Sequence, residues 1–385
     1  MLTNLRRTAA AVALVTVAAL GLAAPAVAAP VFSLPQPTGP FAVGRDVLHL
    51  VDRSRHDPWV PAEPRELMVS MYYPATGSFG ARDPYLTAEE SRLFLEDRQL
   101  AGVVDAQALA ATRTHTRAAA PARPGRYPLV VLSPGFTLHR HTQSVLAEEL
   151  AGHGYIVASV DHAYESAGTA FPGGRTLTCV ACEVAAVADV AGNRAADISF
   201  VLDRLTAAKP AWRRAARIDS GRIGVAGHSI GGNAAATTMA ADRRVRAGVN
   251  MDGTFFSDVP VTGLGGRPFL MLGKPSHSPG GTDTSWDRAW QRLDGWKRWL
   301  TVTGTAHLDF SDIAVLAEQA GLPDPESPLS GARTASLMRA YVLAFFEQHL
   351  RGVPQRLLDG PVAENPEVVF AGGDSAHLAR GRSRA

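Results

Sequence analysis

From Tyr127 onward, short uninterrupted apolar runs alternate with stretches whose apolar positions recur every three to four residues. Uninterrupted runs read as strands buried on both faces, and the 3.6-residue period reads as the crossover helices between them. Strands are predicted at residues 128–132, 156–160, 222–226, 247–251, 268–272 and 299–303. Helices are predicted at 142–152, 188–208 and 233–241, with Ile198, Val201, Leu202 and Leu205 marking one apolar face. A last helix over 334–350 turns Leu337, Met338, Tyr341, Phe345 and Leu350 toward the core. Ahead of this region, residues 46–51 and 66–73, bounded by Pro and Gly, predict an opening hairpin or meander. Residues 85–114 are helical in character and 117–125 read as a Pro/Ala/Arg linker, together an insert over about 85–120 that lies over a pocket. No internal repeat is present, and the tail after about 361 reads as loosely ordered. The strand–helix alternation predicts one doubly wound, mostly parallel α/β domain over residues 29–385.

The first 28 residues bear on compartment rather than fold. Arg6 and Arg7 precede an Ala/Val/Leu run from Thr8 to Ala24, followed by Pro25 and Ala26-Val27-Ala28. Positive start, apolar stretch and small-residue cleavage site are the parts of a signal peptide, removed near Ala28. The run is short of the ~20 apolar residues a span needs and Pro25 interrupts it, so secretion is expected rather than a membrane anchor. In an oxidising compartment Cys179 and Cys182, the only cysteines, are expected to close a local disulfide. They follow a Gly-rich turn rather than opening a helix of a thioredoxin-like unit, and no nearby His or Cys pair completes a four-ligand zinc site. No metal is therefore expected. Lys and Arg total 38 against 36 Asp and Glu, a formal charge of +2, with no basic cluster interleaved with aromatics, so nucleic acid is not an expected partner. At 46% hydrophobic and 19% charged residues the chain can bury a sizeable core.

The chemistry concentrates at Gly227-His228-Ser229-Ile230-Gly231. A strand leads into this Gly-x-Ser-x-Gly and a small-residue helix leads out, the context of a nucleophile elbow, with Gly227 and Gly231 where no side chain fits. Such a turn lifts the Ser229 hydroxyl above the sheet and aims the following helix's N–H groups at the same point. A serine alcohol needs an imidazole to take its proton. His307, on a loop past the 299–303 strand, fits that role, with His277 as the fallback. His349 reads as a solvated residue of the last helix, His139 and His141 as solvated or pocket-rim residues, and His228 as packed. For the acid, Asp252 directly follows a buried strand, whereas Asp283 and Asp287 lie in or beyond a Gly-rich loop; Asp252 is favoured as the better fixed. Asp309 and Asp312 read as supporting or solvated carboxylates. The oxyanion hole is assigned to the backbone N–H groups of Phe136 and Ile230, since Pro134 in Ser133-Pro134-Gly135-Phe136 has no N–H to donate.

These residues resemble the plasma-type platelet-activating factor acetylhydrolases and their bacterial relatives, secreted esterases and lipases of the α/β-hydrolase fold. The resemblance spans roughly residues 71–310 and rests on Met71-Tyr72-Tyr73-Pro74, Tyr127 to Gly135, Gly152-His153-Gly154-Tyr155, Val160-Asp161-His162, the elbow with Gly232, Met251-Asp252-Gly253, and Gly304-Thr305-Ala306-His307 with Phe310 and Asp312. It implies an acid about one strand after the elbow, hence Asp252. The family's His-Gly after the first central strand is Pro134-Gly135 here. The resemblance implies a cofactor-free serine hydrolase acting on short-acyl phospholipids or simpler lipid esters, with at most peripheral contact with lipid surfaces. Other readings are a general lipase or polyester hydrolase, a peptidase or thioesterase on the same fold, and a non-catalytic binding protein built on it.

Overall fold

A computed structural model describes residues 31–371; the expected leader, residues 1–28, lies outside the described residues. Its centre is a ten-stranded sheet. In chain order the strands are β1 (Ala42–His56), β2 (Pro64–Ala75), β3 (Thr116–Ala118), β4 (Tyr127–Ser133), β5 (Ile156–His162), then a separate hairpin of β6 (Thr169–Phe171) and β7 (Arg175–Leu177), then β8 (Ile218–His228), β9 (Val245–Met251), β10 (Phe269–Gly273), β11 (Lys297–Val302) and β12 (Val368–Phe370). The spatial order is β12-β11-β10-β9-β8-β4-β5-β2-β1-β3. The six central strands from β11 to β5 are parallel, while β1, β2 and β12 bring antiparallel pairings to the two sides. From β4 the chain goes to β5 on one side and returns to β8 on the other. The crevice between the carboxyl ends of β4 and β8 is thus a topological switch point, where open α/β sheets place their ligands.

The period of two along each strand divides its side chains between two cores. Val130 and Leu132 of β4 and Leu270 and Leu272 of β10 face one layer, while Leu129, Val131, Phe269 and Met271 face the other. The first layer is covered by α3 (Ser144–Gly152) and α9 (Gly331–Arg351), the second by α5 (Val187–Thr206), α6 (Ile230–Ala241) and α7 (Ser285–Arg292). The insert between β2 and β4 holds α1 (Ala88–Asp97) and α2 (Ala106–Ala110); α4 (Ala181–Val184) follows the small hairpin, and α8 (Ile313–Gln319) precedes α9. This is the doubly wound, mostly parallel α/β architecture that the strand–helix alternation predicted, and the α/β-hydrolase fold that the resemblance implied.

Three expectations are corrected. The helical stretch 85–114 is two helices, because the chain turns at Gln99 and Gly102, both with positive φ. Residues 117–118, expected to open a linker, belong with Thr116 to an edge strand that pairs with Val43–Arg45. The tail after 361 is not loose up to residue 371: Val368–Phe370 pairs with Leu300–Val302, and its buried Val368 and Phe370 close the first core. Cys179 and Cys182 are joined by a disulfide, which fastens the segment between β7 and α5. None of the helices among the described residues is long and apolar enough to cross a membrane.

Candidate active site

Ser229 stands between β8 and α6 with φ 55° and ψ −128°, a conformation that costs of order 1–3 kcal/mol outside glycine. The neighbouring glycines permit it. A Cβ on Gly227 would lie 2.2 Å from the carbonyl carbon of Gly231, and one on Gly231 would lie 2.1 Å from the carbonyl oxygen of Ser133. The turn is held from below, since Ser229 N–H donates to the Met251 carbonyl at 2.8 Å. Its side chain is left half-buried at the switch point.

His307 opens a short 3₁₀ turn after β11, reached through Gly304 at φ 75°. Its Nε2 lies 2.9 Å from Ser229 Oγ and its Nδ1 2.6 Å from Asp252 Oδ2. A carboxylate can only accept, so Nδ1 carries the proton and Nε2 is free to accept from the serine hydroxyl. The side chain of His307 is 39% exposed while that of Asp252 is fully buried, so the chain of hydrogen bonds runs from a solvent-reachable hydroxyl into the protein. Asp252 itself has φ 57°. Asn250 fixes that turn, donating Nδ2–H to the Gly253 carbonyl at 2.7 Å and accepting Gly253 N–H at 2.8 Å. Oδ1 of Asp252 accepts from Lys274 N–H and from His277 Nδ1, each at 2.7 Å. Burial pushes the Asp252 carboxyl upward, but hydrogen bonds and charge from His277 and His307 outweigh it and hold it below the usual carboxylate range.

The structure thus brings Ser229, His307 and Asp252 into one hydrogen-bonded row. Asp283 and Asp287 stand apart from it: Asp283 accepts from Thr254 Oγ1–H and Ser285 N–H and lies 3.1 Å from His277 Nε2, and Asp287 accepts from Gly280 N–H. Phe136 and Ile230 come together in a small apolar cluster with Val190 and Ala191. Among the described residues neither of their N–H groups donates to a hydrogen bond. The loop carrying Phe136 is braced by a buried guanidinium, Arg194, which donates to the Pro134 carbonyl and, at 3.3 Å, to Ser133 Oγ. Arg194 is paired with Glu165, which with Asp57 and Asp197 also surrounds the fully buried Arg65.

Several side chains have places that the sequence did not disclose. His228 is packed as expected, but it packs on His307: its Nε2–H donates to the His307 carbonyl at 2.8 Å, with the rings 4.7 Å apart. Burial, then the neighbouring His307, pushes His228 down to about 3, so it stays neutral and adds no second cation there. His139 and His141 are buried rather than solvated, His139 against Phe94 and His141 against Tyr85. His349 packs on Trp296 and Phe345. Asp312 is fully buried and caps α3, accepting from Ser144 and Val145 N–H at 3.1 Å. Asp309 is buried and accepts from Ala306 N–H at 2.7 Å. An Asn at the strand end two residues before a loop Asp was the one available signal for Asn250; the others depend on contacts between distant loops.

A cavity of about 720 Å³ has Leu308 and Asp309, the residues that follow His307 in the chain, in its wall. Phe94 and Leu95 of α1, Leu109 of α2 and Leu316 of α8 make it largely apolar. Arg98, at the end of α1, donates to Thr137 Oγ1 at 2.5 Å and so ties the insert to the loop that carries Phe136.

The family model described as platelet-activating factor acetylhydrolase, isoform II, matches residues 27–173, which span the insert and the Phe136 loop but end before the elbow. The chain is 32% identical over 376 residues to a probable 1-alkyl-2-acetylglycerophosphocholine esterase of Arthroderma benhamiae, covering 88% of this chain and 94% of that one. It is similar in structure to a ferulic acid esterase from Streptomyces cinnamoneus, with a TM-score of 0.81 and 43% identity over 89% of this chain and 99% of the other.

Proposed function

The chain belongs to the platelet-activating factor acetylhydrolase family of esterases, and from that premise we propose that it hydrolyses short-acyl lipid esters through an acyl-enzyme on Ser229. The observation that carries this reading is the row Ser229 Oγ, His307 Nε2, His307 Nδ1, Asp252 Oδ2, set on a glycine-flanked elbow. His307 takes the Ser229 proton as Oγ attacks the carbonyl carbon, and the N–H groups of Phe136 and Ile230 receive the oxyanion. Collapse breaks the ester C–O bond, with the proton passing from His307 to the departing alcohol. Water, deprotonated by the same imidazole, then releases the acid and restores the serine. Asp252 holds Nδ1–H throughout and stabilises the imidazolium that forms. No cofactor enters these steps.

The apolar cavity walled by Leu308, the residue after His307, supports a substrate with a long hydrocarbon arm, with the short acyl group at Ser229. The leader expected in residues 1–28 and the Cys179–Cys182 disulfide support export of the mature chain. A second reading, hydrolysis of phenolic acid esters, is favoured by the 43% identity to the ferulic acid esterase. Steady-state kinetics on a 1-alkyl-2-acetyl phospholipid, a long-chain triacylglycerol and methyl ferulate separate the two. The lipid reading expects kcat/KM for the acetyl phospholipid to exceed that for methyl ferulate at least about tenfold, or ~1.4 kcal/mol of transition-state stabilisation. The reverse ranking replaces it with the phenolic ester reading, and turnover of none of the three favours a binding protein.

A further inference from the structure

Arg98 caps the carboxyl end of α1, yet its guanidinium does not turn back onto the helix carbonyls, where a basic residue at such a place ordinarily serves. It reaches across to the loop that carries Phe136. Nη2–H donates to Thr137 Oγ1 at 2.5 Å, and the guanidinium carbon lies 5.7 Å from the centre of the Phe94 ring, which backs it. Thr137 directly follows Phe136 and holds φ 65°, fixed by its N–H to the Glu165 carbonyl and by its own carbonyl, which accepts Ala167 N–H, each at 3.0 Å. The guanidinium is thus set against a well-fixed partner, with donors to spare. Among the described residues Nη1 makes no hydrogen bond, and neither does the buried Nε, although Asp97 Oδ2 lies 3.3 Å from it. A planar cation held in one place with free donors is suited to receive an oxygen anion.

Among the described residues that line the apolar cavity, Arg98 is the only Lys or Arg. The acidic lining residues come from a different segment, and each accepts from a backbone donor: Asp309 from Ala306 N–H at 2.7 Å, Glu318 from Ala332 N–H at 3.3 Å and Asp324 from Glu326 N–H at 2.9 Å. Positive charge therefore stands at one place, where α1 meets the Phe136 loop. It is also felt at the elbow, since His228 is held neutral by burial first, then by His307 and more weakly by Arg98. Resting on the lipid-ester reading above, we propose that Arg98 is a specificity-determining residue that receives the phosphodiester of a glycerophospholipid whose alkyl arm fills the apolar cavity and whose short acyl ester lies at Ser229. In such a lipid the phosphate hangs from the glycerol carbon next to the one that bears the ester, and the alkyl arm from the carbon on its other side. Arg98 matches that branching: it lies in the cavity wall and is one hydrogen bond away from the residue after Phe136. An uncharged diester with the same arm would cover the guanidinium without supplying an acceptor, at a cost in desolvation. Discrimination between the two esters is thus assigned to this one side chain.

The test is steady-state kinetics of the full mature chain, wild type and Arg98→Gln, on two esters that share one alkyl arm short enough to keep both monomeric in water: a 1-alkyl-2-acetylglycerophosphocholine and the uncharged 1-alkyl-2-acetylglycerol. The quantity read is the ratio of their kcat/KM values, in which any disturbance of the Phe136 loop common to both esters cancels. Arg98→Gln keeps a donor for Thr137 and removes the charge, and it is expected to lower the ratio about tenfold. A side chain that only tethers the insert to the loop would slow both esters alike and leave the ratio in place; that outcome overturns the proposal and leaves the lipid-ester reading standing. Salt gives a reading that needs no variant. Raising the ionic strength is expected to lower the wild-type ratio, because added ions screen the guanidinium from the phosphodiester, and a ratio that salt does not move overturns the proposal. A wild type that hydrolyses neither ester overturns the lipid-ester reading and this proposal with it.

Discussion

Asp252 and Asp283 lie on opposite sides of one imidazole, and only Asp252 touches His307. Removing its charge leaves His307 Nδ1 free to lose its preferred tautomer, so Asp252→Asn is expected to lower kcat by about 10³–10⁴-fold. Asp283→Asn leaves the bond between His307 and Asp252 intact and is expected to cost no more than about tenfold at the pH optimum. Steady-state kinetics of the two variants at matched pH decide it, and the reverse ranking would move the acid to Asp283. At this scale the sequence was informative where a residue's place follows from its neighbours along the chain. Ser229 sits in a five-residue elbow, and Asp252 and His307 each follow a buried strand. It was silent where the place follows from two loops meeting. His277 and His228 look alike in the sequence, as histidines near strand ends, yet one bonds the Asp252 carboxylate and the other the His307 carbonyl.

The element that most distinguishes the site is the insert of α1 and α2, because it forms one wall of the apolar cavity while α8 forms the other. Ala317 of α8 lines that space and is partly exposed, so a larger side chain there fills the cavity without displacing core residues. Ala317→Phe is expected to raise KM about tenfold for an ester with a long alkyl arm while leaving kcat/KM for a short-chain acetate unchanged. Equal effects on both would show that the arm lies elsewhere. The long elements were legible: the buried strands from β4 to β11 and the amphipathic α5 and α9 carry enough residues to show a period. The three-residue β3, β6, β7 and β12 do not, and their pairing is decided by partners distant in sequence, as Val368–Phe370 is by β11. The break between α1 and α2 follows from Gly102 and the left-handed Gln99, a turn within an otherwise helical composition.

Across the whole molecule, the buried carboxyls make stability depend on pH in a direction that can be worked out. Glu148 of α3 is fully buried, where it accepts from His115 N–H at 3.1 Å. Burial pushes its carboxyl up from 4.5 to about 8, against the pull of that N–H group, and burial likewise pushes Asp312 from 3.8 to about 7. A carboxyl raised in the folded state binds a proton there that the unfolded chain has already released. Its contribution is fully present below the unfolded value and is lost as pH rises from about 4.5 to about 8 for Glu148. Chemical denaturation across that window is expected to show Glu148→Gln gaining stability relative to wild type as pH rises, the buried neutral histidines such as His228 contributing equally to both. A difference between the two proteins that stays constant with pH would contradict this.

The fold and the site meet at one atom, Ser229 Oγ, on which the β8–α6 turn, the elbow glycines and His307 converge. Intact-mass spectrometry of the mature chain with and without a fluorophosphonate, followed by peptide mapping, tests that convergence most directly. A single adduct on Ser229, absent in Ser229→Ala and strongly slowed in Asp252→Asn, is the result expected. A chain that takes no adduct, or takes one on another residue, would contradict the assignment of Ser229 as an activated nucleophile.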